Sequence, residues 1–489
     1  MATVLACDLG TGGCKSSLYG EDGVCLREFF HEYPTRHPRP EWHEQRPDDW
    51  VDAVVGSARA LLDGQPPVFR DGVAAIALSG QSLAMIPLDA SGETLLDWVP
   101  IWSDGRVGPE DMRELFSRVS ECEWYMTTGN GFPARLYTVF KVYWLRKNHP
   151  GIFARTKRIV GSKDYVNYRL TGRLATDPSY ASGSGLFGLS DWDYSRRLLA
   201  ESGLDPELFP DLVPSVDLLG TLTRKAAERL GLGRKVKVVA GGVDNSCMAL
   251  GAMCFRDGRI YNSLGSSSWF SLSSAAPVLD PDKRPYVFAH VCPRQYVSST
   301  SIFSAGSSYK WFRNTLAGSA DYGVLDAEAA SAPVGCAGLM FNPTLAGGSS
   351  LDASPLARGG FAGLALGHSR AHLARAVMEG VAMGLRLALD ELRRRVEVSD
   401  EMLLVGGGGN SPLWRQILAD ALRLRIVQTN VGQQAATLGA AALALVGCGL
   451  WDSFDLIDGL HHEESRVSPR EREAALYEGM LPRYRLLAE

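Results

Sequence analysis

Several features common in other protein classes are missing from this 489-residue chain. Its nine cysteines include no C-x-x-C pair and have no histidine cluster beside them, so neither a structural zinc site nor a disulfide framework is indicated. Scattered thiols suit a reducing compartment. The N-terminus carries no basic stretch followed by a signal-like apolar run, so a cytoplasmic location is expected. Positive charge is also short. A net charge of −5 argues against a nucleic-acid partner, and no helix-turn-helix or basic arm is evident. The run Arg393, Arg394 and Arg395 falls on a predicted helix face and reads as solvated surface. Long apolar segments are absent apart from one uncharged stretch, Ala435 to Trp451, which reaches only about the lower limit of a membrane span. Its Ala and Gly content predicts a buried helix packed closely on a sheet, with no membrane partner. Two familiar nucleotide loops are missing as well. Gly10-x-Gly12 is followed by Lys15 where a dinucleotide fingerprint needs glycine, and Cys14 stands where a P-loop needs glycine before Lys15-Ser16.

What is present points to two α/β domains, because the chain is too long for one hydrophobic core. Apolar residues make up 45% and charged residues 21%, ordinary for a globular protein. The opening "TVLACDLGTGGCKSSLYGEDGV" runs from an apolar strand through glycines into a second short β-type run. The Asp22-Gly23 pair then signals a hairpin. The glycine turn therefore joins strand to strand, with no helix behind it. Such a turn can hold phosphate through backbone amides and the Thr11 hydroxyl, while Asp8 can anchor the shell of a magnesium ion. On this stretch alone a plain hairpin serves equally well.

Two later segments repeat the logic. "KVKVVAGGVDNSCMALGA" reads as a buried strand ending in glycines, with Asp244-Asn245 opening a helix, and "GRIYNSLGSSSWFSLSS" is again strand, small-residue turn, strand. Gly265 and the hydroxyls between Ser263 and Ser268 form a second candidate phosphate cradle. Two related halves, each with such a hairpin, imply a nucleotide held in a cleft between domains. In "EMLLVGGGGNSPLWRQILADALRLRIVQT" the strand Met402 to Val405 runs into Gly406 to Gly409. Asn410 or Ser411 caps the following helix, and Pro412 takes its first position. A tight turn needs one or two glycines; four in a row suggest backbone lying flat against a ligand.

These three loops, in this order, resemble the ATP sites of the actin–hexokinase–Hsp70 superfamily. More narrowly, the chain resembles the FGGY carbohydrate kinases, and among them the xylulokinase-like branch, from Asp8 to about Ala442. The sharpest match is "GGFAGLALGHSRAHLARAVMEG", including Gly360, Gly363, His372, Ala376 and Glu379. "LYTVFKVYWLRKN" keeps Lys141 and Trp144 of an earlier signature but has Leu136 where the family has a small or aromatic residue. "IWSDGR", Ile101 to Arg106, is similar to the xylulokinase W-N-D-G-R segment.

The resemblance implies two ribonuclease-H-like domains, 1–251 and 252–489, each a mixed sheet flanked by helices, with ATP and Mg2+ as cofactors. It implies Asp8 as the metal anchor and Gly10, Thr11, Gly12 and Lys15 on the first phosphate side. Gly265 and Ser266 would form the second phosphate loop, and Gly407, Gly408 and Asn410 would touch the adenosine. Gln81, Ser82, Leu83, Trp102, Asp104 and Asn245 would face the sugar or polyol. Asp244 would be the general base, although it could instead merely cap its helix. A homodimer is a family-level expectation.

The acceptor side departs from the pattern. Xylulokinases carry G-Q-M-H-G where this chain has Gly80-Gln81-Ser82-Leu83-Ala84, and a family G-E-R-T-P segment corresponds to "LAGGSSLDASP". Losing directed hydrogen-bond donors should change what is bound. The expected activity is phosphoryl transfer to a small ketose or polyol, D-xylulose or another. The alternatives are a catalytically weak sugar-binding or regulatory homologue and a chaperone-like or filament-forming ATPase on the same fold.

Overall fold

The computed structural model describes residues 2–349, 352, 354 and 356–488. Of the "LAGGSSLDASP" segment, Ser350, Leu351, Ala353 and Pro355 lie outside the described residues. The chain forms two compact units. One contains Met1–Phe255, Ala275–Val297 and Gln434–Leu460; the other contains Arg256–Ser274, Ser298–Gln433 and His461–Glu489.

The first unit is built on a mixed six-stranded sheet. Its strands are β1 (Thr3–Leu9), β2 (Gly13–Gly20), β3 (Cys25–Glu32), β4 (Val73–Gly80), β5 (Leu218–Thr221) and β6 (Lys237–Val243), in the spatial order β3-β2-β1-β4-β6-β5. β1, β4 and β6 run parallel, whereas β2, β3 and β5 pair antiparallel to their neighbours. The opening therefore is a meander, with the glycine turn between β1 and β2 and Asp22-Gly23 between β2 and β3. Helix Pro47–Leu62 starts with proline at its first turn and two acidic residues, and presents Trp50, Val51, Val54, Ala58 and Leu61 to β2 and β3.

Helix Ala435–Gly447, from far along the chain, also belongs to this unit and packs on β1 and β4. It lies against helix Asp244–Gly251 so closely that a Cβ on Gly439 would sit 1.9 Å from Cys247 O, and one on Gly251 would sit 1.8 Å from Ala435 O. That approach explains its Ala and Gly content. It is the buried, sheet-packed helix expected for Ala435 to Trp451. Among the described residues no helix is long and apolar enough to cross a membrane.

The second unit repeats the plan with β7 (Ile260–Leu264), β8 (Ser268–Ser274), β9 (Glu401–Val405), β10 (Arg425–Thr429) and β11 (Glu463–Val467), which lie in the order β8-β7-β9-β10-β11. Again a hairpin leads, two strands follow parallel to its first member, and an antiparallel strand closes the set. The α/β class with helix-flanked mixed sheets is thus as expected. The long helix Arg370–Arg393 carries Glu379, which accepts from Arg375 Nε (2.7 Å), Gly335 N (3.1 Å) and Tyr477 Oη (2.8 Å). Tyr477 lies on the terminal helix Glu471–Ala488, and Tyr484 from the same helix donates to Gly380 O at 2.7 Å. The tail is the surface-packed helix expected, and the face it buries carries two tyrosines whose hydroxyls lock it to the signature helix.

Candidate active site

In the first unit β1, β4 and β6 end at one level, with Leu9 opposite Gly80 and Gly80 opposite Val243. The carboxyl ends of such strands are where α/β sheets collect ligands. Here they deliver Asp8, Gln81 and Asp244. The Gln81 amide fixes that residue in place by donating to Leu9 O at 2.8 Å.

The turn after β1 is held by its carbonyls. Tyr33 Oη donates to Gly10 O (2.5 Å), Gln45 Nε2 to Thr11 O (2.6 Å), and Trp102 Nε1 to Thr11 Oγ1 (2.8 Å). The amides of Thr11 and Gly12 donate to no described residue. Adjacent unspent amides form an anion-binding concavity. Gln45 is itself braced by Trp50 Nε1 (3.0 Å) and accepts from Gln81 Nε2 (2.7 Å). Neither Tyr33 nor Gln45 belongs to a recognisable motif, so sequence reasoning missed both. Lys15 stands on β2 directly across from Asp8 and pairs with Glu28 at 3.3 Å. It is a charge beside the turn rather than a member of it.

Asp8 accepts from Ser79 Oγ at 2.6 Å through Oδ1, and Oδ2 takes no bond from a described residue. Burial raises its carboxyl, opposed by the Ser79 bond and the charge of Lys15. Asp244 is the first residue of helix Asp244–Gly251. The N-cap position belongs to Val243, and among the described residues Asp244 Oδ1 accepts only from Asn245 N (2.8 Å). A capping role does not account for it. Burial, and then the charge of Asp8, pushes the Asp244 carboxyl up to about 7. A carboxyl raised that far can exchange a proton near neutral pH. At two of these strand ends, Gln81 Oε1 and Asn245 Oδ1 are buried acceptors with no donor among the described residues.

The remaining residues expected on the acceptor side divide. Trp102 is exposed and reaches the turn after β1. Asp104 is fully buried and spent: it accepts from His43 N (2.7 Å), Arg106 N (3.1 Å), Arg106 Nε (2.7 Å) and Arg106 Nη2 (2.8 Å). Arg106 also bonds Glu44 at 2.6 Å, and its guanidinium lies against the rings of Trp42 (4.0 Å) and Trp144 (4.8 Å), which meet edge to face. Asp104 therefore braces a loop and has no valence left for a sugar. Leu83, expected to face the acceptor, is 1% exposed and packs in the core with Met85, Tyr137 and Phe140, on a left-handed backbone (φ 62). An apolar side chain gains more there than in a polar pocket. Ser82 is buried beside Gly183, and Leu136 packs at the margin of the same core.

The second unit holds a pocket of about 670 Å³, in the range of small-molecule sites. Gly265, Ser266, Gly407, Gly408 and Asn410 all line it, together with Tyr309, Trp414 and Asp326, which the sequence did not single out. Tyr309 and Trp414 pack with ring centroids 5.5 Å apart, and Tyr309 Oη donates to Asp326 Oδ1 at 2.9 Å. The turn after β7 is held as the first one is. Gly265 O accepts from Gly306 N (2.9 Å), and Ser266 O from Ala305 N (2.9 Å) and Ser307 N (3.0 Å), while the amides of Ser266 and Ser267 donate to no described residue. Ser268 is turned inward onto Asn262 (3.0 Å), so it leaves the proposed ring of hydroxyls.

The four glycines after β9 have two different reasons. Gly406 sits at φ 95 against Leu264 O, and a Cβ on Gly408 would lie 2.4 Å from Leu264 Cγ. These two are required by packing onto β7. Gly407 has nothing within 4 Å of the same point and is open to a ligand. Ser411, not Asn410, caps the following helix, accepting from Trp414 N at 3.1 Å.

Residues 3–251 match the N-terminal domain, and residues 260–448 the C-terminal domain, of the FGGY family of carbohydrate kinases. The chain is 30% identical over 486 residues to a xylulose kinase of Escherichia coli, covering 97% of this chain and 98% of that protein. It superposes on the crystal structure of a xylulose kinase from Rhodospirillum rubrum with a TM-score of 0.91 and 27% identity, covering 99% of this chain and 98% of that one. A gluconate kinase from Lactobacillus acidophilus gives a TM-score of 0.91 at 25% identity, over 99% and 97% of the two chains.

Proposed function

Because the chain belongs to the FGGY family of carbohydrate kinases, we propose that it passes the γ-phosphoryl group of ATP to a hydroxyl of a small uncharged ketose or polyol, D-xylulose being the first candidate. Asp244 is the general base. The observation that carries this reading is its placement: it starts a helix at the carboxyl end of β6, beside Asp8 and level with the phosphate turn, and its carboxyl is not used as a cap. Asp244 takes the proton of the attacking hydroxyl as the phosphoryl group moves through a loose transition state.

Each part of the chain has its share. Residues 1–251 hold the acceptor and the first phosphate turn, where the amides of Thr11 and Gly12 and the Thr11 hydroxyl grip phosphate oxygens. Residues 252–489 hold the second phosphate loop at Gly265 and Ser266 and receive the adenosine along Gly407, Gly408 and Asn410, with Tyr309 and Trp414 offering an apolar wall to the base. Asp8 would hold Mg2+, which offsets phosphate charge. A single carboxylate with one unspent oxygen suits an ion that keeps most of its shell as water and phosphate.

Two features favour a neutral acceptor. Gln81 Oε1 and Asn245 Oδ1 are buried acceptors awaiting hydroxyl donors. The cations flanking the acceptor loops are committed, Arg106 to Asp104 and Glu44, and Lys141 to backbone carbonyls. An aldonate would find no partner for its carboxylate in these groups, which sets the chain apart from a gluconate-type kinase. An ATP-consumption panel of ketoses, aldoses, polyols and aldonates tests this. Turnover on gluconate above every neutral sugar would refute the neutral-acceptor reading. High turnover on D-xylulose alone would remove any altered specificity from the Ser82-Leu83 replacement. No turnover on any acceptor would favour the sugar-binding alternative.

A further inference from the structure

Lys141 lies in the first turn of helix Thr138–Asn148 and is fully buried, yet nothing in the chemistry above uses it. Its ammonium donates to Leu83 O at 2.8 Å and to Ile101 O at 2.7 Å. Both carbonyls belong to the acceptor side: Leu83 closes the stretch begun by Gln81, and Ile101 immediately precedes Trp102. A buried ammonium is costly unless it is paired, and the neighbouring Asp104 is already engaged by Arg106 and by the His43 amide. Methionine would fill the same space without that cost. What the charge adds is a charge-assisted grip on two loops at once. One of the gripped residues needs it. Leu83 is a bulky residue on a left-handed backbone, a conformation that persists only where its surroundings over-determine it.

We propose that Lys141 is the positioning residue of the acceptor pocket. By holding the carbonyls of Leu83 and Ile101 it sets Gln81 and Ser82 against Trp102. Through the Trp102 bond to Thr11, it also sets the acceptor against the phosphate turn. The proposal rests on the kinase reading of this site. Burial pulls the ammonium down to about 7, with Asp104 pushing it up and Arg106 pulling it down. These two flank it from the loop after Ile101, and Glu44 reaches the group through Arg106. Below that value the grip is charge-assisted. Above it a neutral amine keeps two donors but loses the charge, so acceptor binding weakens as pH rises.

The test begins with the wild-type enzyme and whichever acceptor the panel identifies. Absence of any turnover there removes the kinase reading itself, before variants are compared. Lys141→Met is expected to raise the acceptor KM by about tenfold or more while leaving the ATP KM within about twofold, and Lys141→Arg is expected to recover part of the loss. The wild-type acceptor KM should climb between about pH 6 and about pH 9, and this climb should vanish in Lys141→Met. A folded Lys141→Met enzyme with an unchanged acceptor KM overturns the proposal. So does a parallel fall of kcat, both affinities and melting temperature, which is the mark of general packing loss. If Lys141→Met does not fold, Lys141→Gln and the wild-type pH series decide, and a flat acceptor KM in both overturns it.

Discussion

The glycine at 408 offers a sharp test of how the proposed nucleotide pocket is built. A methyl group added there would sit 2.4 Å from Leu264 Cγ, 2.6 Å from Cδ2 and 3.2 Å from the Leu264 carbonyl. Carbon atoms in good contact lie roughly 3.5–4.0 Å apart, so more than an ångström of overlap must be relieved, and the nearby carbonyl blocks simple rotation away. Forced overpacking of this kind costs about 1–3 kcal/mol. At about 1.4 kcal/mol per tenfold, Gly408→Ala should raise the ATP KM by about 5- to 140-fold if the turn moves off Leu264. The acceptor KM should not change. Gly407→Ala is the control, because its methyl would meet nothing in the protein: stability should hold while ATP binding weakens against the added group. Leu264→Ala alone opens a cavity and is itself costly, about 2–5 kcal/mol. The informative quantity is therefore the coupling, and Gly408→Ala with Leu264→Ala should cost less than the sum of the two by about 1 kcal/mol or more. ATP titrations in a coupled ADP-release assay, with melting curves alongside, give both numbers. A Gly408→Ala enzyme with wild-type ATP KM and stability, or a double variant that is strictly additive, would refute the packing argument.

Four further outcomes concern the first unit. Asp244→Asn should lower kcat by about 100- to 10,000-fold while calorimetry finds nucleotide binding intact; unchanged turnover would place the base elsewhere. Since the Asp244 carboxyl titrates at about 7 rather than at 3.8, the ionised base is lost as pH falls through that value. The pH profile of kcat/KM should show an acid limb there, shifted to lower pH in Asp8→Asn. The same raised affinity means the folded state binds this proton more tightly than the unfolded chain. Stability therefore declines as pH rises from 3.8 through about 7, and Asp244→Asn should melt above wild type at alkaline pH. Asp8→Asn should raise the magnesium concentration for half-activation by about tenfold or more, and an unchanged metal dependence would count against its anchoring role.

What could be read from the sequence was local. The strand–glycine–strand character of the opening, the helix begun by Asp244 and the Ser411-Pro412 helix start all depend on near neighbours in the chain, and all three are found. Contacts made across tens or hundreds of residues could not be read. Nothing in a motif tells that Tyr33 and Gln45 draw the carbonyls of the turn after β1 to one side, or that Gly408 is a glycine because of Leu264. The same gap misassigned two acceptor-side residues. Asp104 and Leu83 stand where sugar contacts were expected, but a salt-bridge partner two residues on and a core under the loop claim their side chains. Trp144 and Lys141 stand in the sequence only as motif matches, but in the structure Trp144 packs on Arg106 and Lys141 bonds the carbonyls of Leu83 and Ile101.

Helix Ala435–Gly447 has a consequence for how this protein is made. Tyr19, near the start of the chain, shares a hydrogen bond with Thr437 at 2.9 Å, and one face of β1 and β4 is covered by a helix that leaves the ribosome only after almost all of the second unit. Domains usually fold as they emerge, the N-terminal one first. Here the first-synthesised unit is the last to be completed, so its apolar sheet face must wait through most of translation. A chain cut at Gly251 would expose that face permanently and should aggregate rather than fold.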